Sequence, residues 1–242
     1  MNAIETRELT RAFGDLIAVD RLNLAVPEGE LFALLGVNGA GKTTAIRMLC
    51  GLLPPTSGDA LLLGHSIVSD AAAAKANLNV SPQETAVAAG LTVRENLEFI
   101  AGVYGMDRAA ARSAAGEMIE RMGLGPVAKR RAKQLSGGWQ RRLSIAMGLI
   151  TNPKILFLDE PTLGLDVLAR RELWQVIEAL HGKMTVVLTT HYLEEAEALS
   201  DRIGIMAHGR LKALGTAQSM IEQTGAKNFE DAFIALAAGE GV

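Results

Sequence analysis

The sequence predicts an α/β fold: a mostly parallel sheet of buried strands, an antiparallel β layer at its N-terminal end and an inserted helical segment. Three observations predict it. Leu31 to Leu35, "KILFLDE" and "MTVVLTTH" carry short apolar runs, as suits strands buried on both faces. Residues 3–30, including "IETRELTRAFG" and "LIAVDRLNLAV", read as short strands separated by polar turns. Residues 84–150 contain no convincing strand, whereas "TVRENLEFIAGVYG" and "RAAARSAAGEMIERMGL" have helical period and composition, with Gly123 and Gly125 as stops.

The remaining elements follow in order. After Leu35 comes a glycine-rich loop, and from Lys42 a helix that ends near Gly51, ahead of Pro54 and Pro55. Further strands close with "NLNVSPQ"; the alanine tract at 71–74 reads as a helix former without a functional role. "RIGIMAHGRLKALG" predicts a hairpin turning at His208-Gly209, and the tail from Thr216 has helical spacing. There is no internal repeat or low-complexity linker. The chain is therefore expected to be one domain: a core with its β layer over 1–83 and 151–215, a helical subdomain over 84–150, and a short helical tail over 216–242.

Composition narrows the function. The 242 residues carry 24 basic and 27 acidic side chains, a net charge of −3, which gives no electrostatic case for nucleic acid. Cys50 is the single cysteine, so neither an internal disulfide nor a cysteine metal cluster is available; it reads as a small buried hydrophobe. "MNAIETRELTR" lacks the apolar core of a signal peptide, and no stretch reaches the ~18 apolar residues of a membrane span. A cytosolic chain is expected, one that needs a spanning partner for any role at a membrane.

The chemistry is carried by three glycine-rich or acidic segments. Gly36-Val37-Asn38-Gly39-Ala40-Gly41-Lys42-Thr43 fits the phosphate-cradling pattern G-x-x-x-x-G-K-[ST] between a strand and a helix. A helix N-terminus offers free N–H groups and a positive dipole end to an anion. Lys42 would reach the β- and γ-phosphates of a nucleoside triphosphate, and the Thr43 hydroxyl would ligate Mg²⁺. In "ILFLDE", Asp159 at a buried strand's end would hold Mg²⁺ through its water shell. Glu160, one residue on, is placed to accept a proton from an attacking water. "LSGGWQRRL" opens another helix with a glycine pair, where Ser136 and the amides of Gly137 and Gly138 form a second anion-binding N-terminus or an ordinary serine cap.

Taken together, these segments resemble the ATPase subunit of an ABC transporter, over nearly the whole chain. The phosphate loop resembles Walker A, Gln83 in "SPQETA" the Q-loop, "LSGGW" the signature, and "ILFLDE" Walker B with its glutamate. "PTLGLD" is similar to the D-loop, and His191 in "LTTHYLEEAE" to the switch histidine. Phe13 in "RAFGDLIAVD" stands where the family places an adenine-stacking aromatic. The resemblance implies a P-loop NTPase core in an ABC ATPase cassette that binds ATP and Mg²⁺. Its nucleotide contacts would be Phe13, the loop Gly36 to Thr43 with Thr44, and Gln83. Lys42, Gln83, Glu160 and His191 would be catalytic, and Thr43, Gln83 and Asp159 the metal residues. His65, His181 and His208 read as structural.

It further implies that Ser136, Gly137 and Gly138 serve a second cassette, so that two copies sandwich two ATP molecules head to tail. A homodimer is the favoured form and a heterodimer the alternative. The chain would sit peripherally on the cytoplasmic face of the membrane, its helical subdomain docked on a polytopic permease, with no nucleic-acid partner. Two residues depart from the pattern: Trp139 replaces the usual signature glutamine, where it reads as a packing residue, and Leu163 replaces a small D-loop residue. "LTVRENLEFIAGVYGM" and "NFEDAFIAL" resemble the bacterial drug- and antibiotic-export or self-resistance branch. An importer ATPase is the alternative. A non-transport ABC ATPase acting on DNA or ribosomes is disfavoured by the charge and by the short stretch between Walker A and the signature.

Overall fold

The computed structural model describes residues 1–238; the last four residues of the expected tail lie outside them. The chain opens with strands β1 (Asn2–Phe13) and β2 (Leu16–Pro27), paired antiparallel. They are long, not the short strands expected. Their register slips at several points, and Glu8 and Arg21 adopt left-handed backbone angles where the ribbon bulges. β3 (Leu31–Leu35) follows, then the glycine loop and helix α1 (Lys42–Leu49). β4 (Ser57–Leu62) and β5 (His65–Ser66) return to the first layer and complete a four-stranded sheet in the order β2-β1-β4-β5. A short α2 (Ala71–Lys75) leads into β6 (Leu78–Ser81).

Three helices come next: α3 (Val93–Val103), α4 (Arg108–Arg121) and α5 (Gly137–Leu149). Their starts are chemically marked. Thr92 and Glu95 form a reciprocal capping box on α3, and the Asp107 carboxylate accepts from the Ala109 and Ala110 amides at the head of α4. Gly123, with φ of 62°, ends the second of these, while Gly125 starts a 3₁₀ turn. Then come β7 (Ile155–Asp159), α6 (Val167–Glu178), β8 (Thr185–Thr190), α7 (Leu193–Leu199), the hairpin β9 (Arg202–Ala207) and β10 (Arg210–Gly215), α8 (Ala217–Thr224) and α9 (Phe229–Ala238).

The second sheet has six strands in the order β10-β9-β3-β8-β7-β6. It is parallel except at the β10 edge. Its central strands are buried on both faces, which explains their unbroken apolar runs. In β3, Leu31, Ala33 and Leu35 join the core shared with α3 to α9; Phe32 and Leu34 face α1 and the first sheet. Strand β7 divides the same way, Leu156 and Leu158 against Ile155 and Phe157. Phe32 and Phe157 are fully buried, and each such side chain stabilises the fold by about 3 kcal/mol. Helix α1 is thus held between two sheets by Ala45, Ile46, Met48 and Leu49, with Cys50 beside them; burial pushes that thiol's pKa up, so it stays protonated and inert.

Parallel pairing brings the C-terminal ends of β3, β7 and β8 to one edge. Leu35 lies opposite Thr190, and Asp159 opposite Thr189. The glycine loop can follow β3 there because its backbone runs against its neighbours. A Cβ on Gly36 would stand 2.3 Å from the Met206 carbonyl oxygen, and one on Gly41 2.3 Å from that of Ala18. Gly36→Ala should therefore cost about 1–3 kcal/mol, read as a lower melting temperature. Gly90→Ala, with nothing within 4 Å of its new Cβ, should leave the melting temperature unchanged. Equal melting temperatures for the two variants would contradict this packing.

Candidate active site

An open cleft of roughly 770 Å³ lies at that edge. It is lined by the loop from Asn38 to Thr44, by Gln83, Glu160, Leu163 and His191, and by Phe13, Leu16, Ile17 and Ala18 from the β1–β2 ribbon. Gly36 and Val37 form the approach to the loop. Asp159 is buried beside the cleft, its Oδ1 accepting from the Thr43 hydroxyl at 3.1 Å and from the Thr189 hydroxyl at 2.6 Å. The Glu160 amide donates to the Thr189 oxygen at 2.9 Å. Glu160 itself has a left-handed backbone, φ 48°, a strained conformation for a side chain of this kind.

The Lys42 ammonium and the Glu160 carboxylate are both about 5% exposed and lie 3.4 Å apart. Lys42 Nζ also donates to the carbonyls of Gly36 at 2.7 Å and Val37 at 3.2 Å. His191, just past β8, places Nδ1 2.8 Å from Glu160 Oε2. Lysine, glutamate and histidine thus form one connected chain along the cleft, although they stand far apart in sequence. Gln83, on the segment after β6, is exposed on the wall. Phe13 is 46% exposed on the cleft wall, and the Arg11 guanidinium lies 4.5 Å from its ring centroid.

Ser136, Gly137 and Gly138 do not reach this cleft. They open α5 on another surface, beside Trp139, Arg142 and Ala169. Ser136 occupies the N-cap position yet makes no capping hydrogen bond, so its hydroxyl is not the ordinary cap that the sequence allowed. Trp139 is half-buried and packs against the helical side of the core, with the Arg142 guanidinium 5.0 Å from its ring. Leu163 is 41% exposed and lines the cleft. His65 pairs with Asp70 and His181 with Asp201, whereas His208 is exposed at the β9–β10 turn and lines the cleft. Sequence reading missed that placement; the signal was β9, whose pairing with β3 carries its turn to the loop.

Two buried charged residues brace the site from behind. Arg141 of α5, 4% exposed, donates to the carbonyls of Pro82, Asp159, Glu160 and Pro161. Burial pulls its guanidinium below its usual pKa, while Asp159, Glu195 and Glu160 pull it back. Glu195 of α7 is fully buried; its Oε1 accepts from the Trp174 indole of α6 at 3.1 Å. Its Oε2 and the Thr162 hydroxyl are buried without a hydrogen bond. Burial pushes the Glu195 carboxyl above the usual glutamate range, against the pull of the Trp174 indole hydrogen bond; Glu160's negative charge adds to the rise.

A glycine loop feeding a helix N-terminus, with a lysine and an acidic strand end beside it, defines the class as P-loop nucleotide-binding proteins. The ABC transporter family model matches residues 19–163. The chain is 44% identical over 239 residues to the "Probable multidrug ABC transporter ATP-binding protein YbhF" of Escherichia coli, an alignment covering 96% of this chain and 41% of that protein. It is 43% identical over 224 residues to the "Daunorubicin/doxorubicin resistance ATP-binding protein DrrA" of Streptomyces peucetius, covering 92% of this chain and 68% of DrrA. The solved "Dimeric Structure of MJ0796, a Bacterial ABC Transporter Cassette" superposes with a TM-score of 0.78 at 27% identity, over 88% of this chain and 98% of that one. The chain belongs to the ABC transporter family, as an ATP-binding domain, and spans under half the length of YbhF.

The buried Glu195 carboxyl gives a pH prediction. Below the ordinary glutamate pKa, folded and unfolded chains both hold its proton. As pH rises past that value the unfolded chain releases it first, so wild-type stability falls until the folded carboxyl also titrates. Glu195→Gln keeps the shape and has no such proton. Its melting temperature should gain on wild type as pH is raised from about 4 to about 8; parallel curves would contradict the assignment.

Proposed function

We propose that this chain binds and hydrolyses ATP to drive export of a substrate through a separate membrane-spanning permease, working as a head-to-tail pair of cassettes. The observation that carries the hydrolytic part is the connected chain Lys42–Glu160–His191 on the wall of the cleft. The names of YbhF and DrrA support export of drug-like molecules, and the dimeric cassette supports pairing. Among the described residues no helix is long and apolar enough to cross a membrane.

In this reading adenine stacks on Phe13 and the phosphates lie on the amides of Gly39 to Thr44. Lys42 turns its ammonium from the loop carbonyls to the β- and γ-phosphates. The residues present suit Mg²⁺. Among the described residues no three His, Cys, Asp or Glu side chains gather into a metal cage. The Thr43 hydroxyl, the Asp159 carboxylate and the Gln83 amide oxygen are instead the few hard oxygen donors that Mg²⁺ takes from a protein when phosphates and waters supply the rest. Bound there, the ion would neutralise charge on the phosphate oxygens.

The Glu160 carboxylate accepts a proton from a water aligned with the γ-phosphate. His191 holds the Glu160 carboxylate through Nδ1 and presents Nε2 to a γ-phosphate oxygen, so it fixes the base and steadies the developing charge. Ser136 and the amides of Gly137 and Gly138 close over the γ-phosphate held by the second copy. The helical segment α3–α5 docks the permease and places the chain peripherally on the membrane's cytoplasmic face.

Glu160→Gln preserves size and the contact with His191 but removes the base. It should bind ATP like wild type, hydrolyse it about 10²-fold more slowly, and accumulate as an ATP-bound dimer. Wild-type turnover in this variant would sink the assignment.

A further inference from the structure

The guanidinium of Arg141 stands apart from the other buried charges because each of its four hydrogen-bonded partners is a backbone carbonyl. Nε donates to Pro161 at 2.7 Å, Nη1 to Pro82 at 2.5 Å, and Nη2 to Asp159 at 2.9 Å and to Glu160 at 2.5 Å. Three of these acceptors are consecutive and enclose the strained Glu160 backbone. The fourth immediately precedes Gln83. A planar fork of five donors can serve acceptors spread over separate segments in a way that a single ammonium cannot. A left-handed glutamate persists only where its surroundings over-determine it, and Arg141 fixes the carbonyl side of that peptide while the Thr189 hydroxyl fixes the amide side.

The position on the helix adds a second consequence. Arg141 lies little more than one turn beyond Ser136 on α5. The same rigid element therefore carries Ser136 at one end and grips the chain's own Glu160 and Gln83 segments a turn later.

We propose that Arg141 is a positioning residue for hydrolysis: it holds Glu160 and the base of the Gln83 segment in their working geometry and ties them to the helix that carries Ser136. This rests on the reading of Glu160 as the base and of Ser136 as serving a second copy. Arg141 touches neither nucleotide nor water in this account, so its loss should leave ATP binding intact and slow the chemical step.

Arg141→Lys tests this, since it keeps the charge and loses the fork. Three measurements are compared with wild type: affinity for a fluorescent ATP analogue, steady-state hydrolysis, and ATP-driven dimerisation in the Glu160→Gln background. The expected result is affinity within about twofold, KM little changed, kcat reduced about tenfold or more, and dimerisation retained. Full kcat overturns the proposal. So does a loss of turnover matched by an equal loss of ATP affinity, which a merely structural arginine would produce, or a loss of dimerisation with ATP binding intact. If Arg141→Lys does not fold, Arg141→Met, which fills the space without leaving an ammonium among carbonyls, takes its place. Failure of both to fold assigns the residue to stability and overturns the proposal. A wild-type chain that binds ATP without hydrolysing it removes the underlying reading as well, and that is visible before any variant is made.

Discussion

One carboxylate oxygen, Asp159 Oδ1, accepts hydroxyl hydrogens from both Thr43 and Thr189. It joins the first turn of the helix after the glycine loop to the ends of two neighbouring strands. The Thr189 hydroxyl donates to Asp159 and accepts from the Glu160 amide, so the same contact sets where the next residue turns. From that turn the Glu160 carboxylate meets Lys42 on one side and His191 on the other. The arrangement depends on sheet register. Asp159 and Thr189 are paired opposite one another, and a slip of either strand by one residue would send its side chain to the other face and part the pair.

Such a site is costly to build in isolation. Lys42, Asp159 and Glu160 are each about 5% exposed, and buried charges are tolerated only when paired and hydrogen-bonded. The stabilisation comes from elsewhere, from apolar side chains on both faces of the central sheet and from the helices against it. Braces without contact to the cleft then hold the polar segments in place. Arg141 satisfies the carbonyls where β7 ends, and Glu195 fills the space between α6 and α7. The two have opposite electrostatic logic. Arg141 keeps a charge under solvation by carbonyl dipoles, whereas Glu195 is pushed toward its neutral form.

The parts of this molecule legible in the sequence are those whose signals are local. A buried strand, three glycines, a lysine and a helix start lie within a few residues of one another, and Asp159 with Glu160 closes another apolar run. The hairpin at His208-Gly209 was legible for the same reason. What escaped is non-local. The β1–β2 ribbon is long because bulges at Glu8 and Arg21 let it continue past points that read as turns. β4 and β5 join the N-terminal layer across the chain, a pairing that no local pattern specifies. His208 enters the cleft only because β9 pairs with β3, and Arg141 takes its meaning from acceptors on two distant segments. The free hydroxyl of Ser136 is visible only in the folded helix.

In the proposed mechanism two helix starts bind anions with different destinations, the one at Lys42 in its own cleft and the one at Ser136 in a second copy. The direct measurement is ATP hydrolysis by Ser136→Arg and Lys42→Ala chains, alone and mixed. Ser136→Arg should bind ATP through its intact loop yet fail to hydrolyse it, and Lys42→Ala should bind poorly. Mixed, they should regain part of the activity, because one composite site pairs the intact loop of the first with the intact Ser136 of the second. Hydrolysis at the full wild-type rate by Ser136→Arg alone would contradict it.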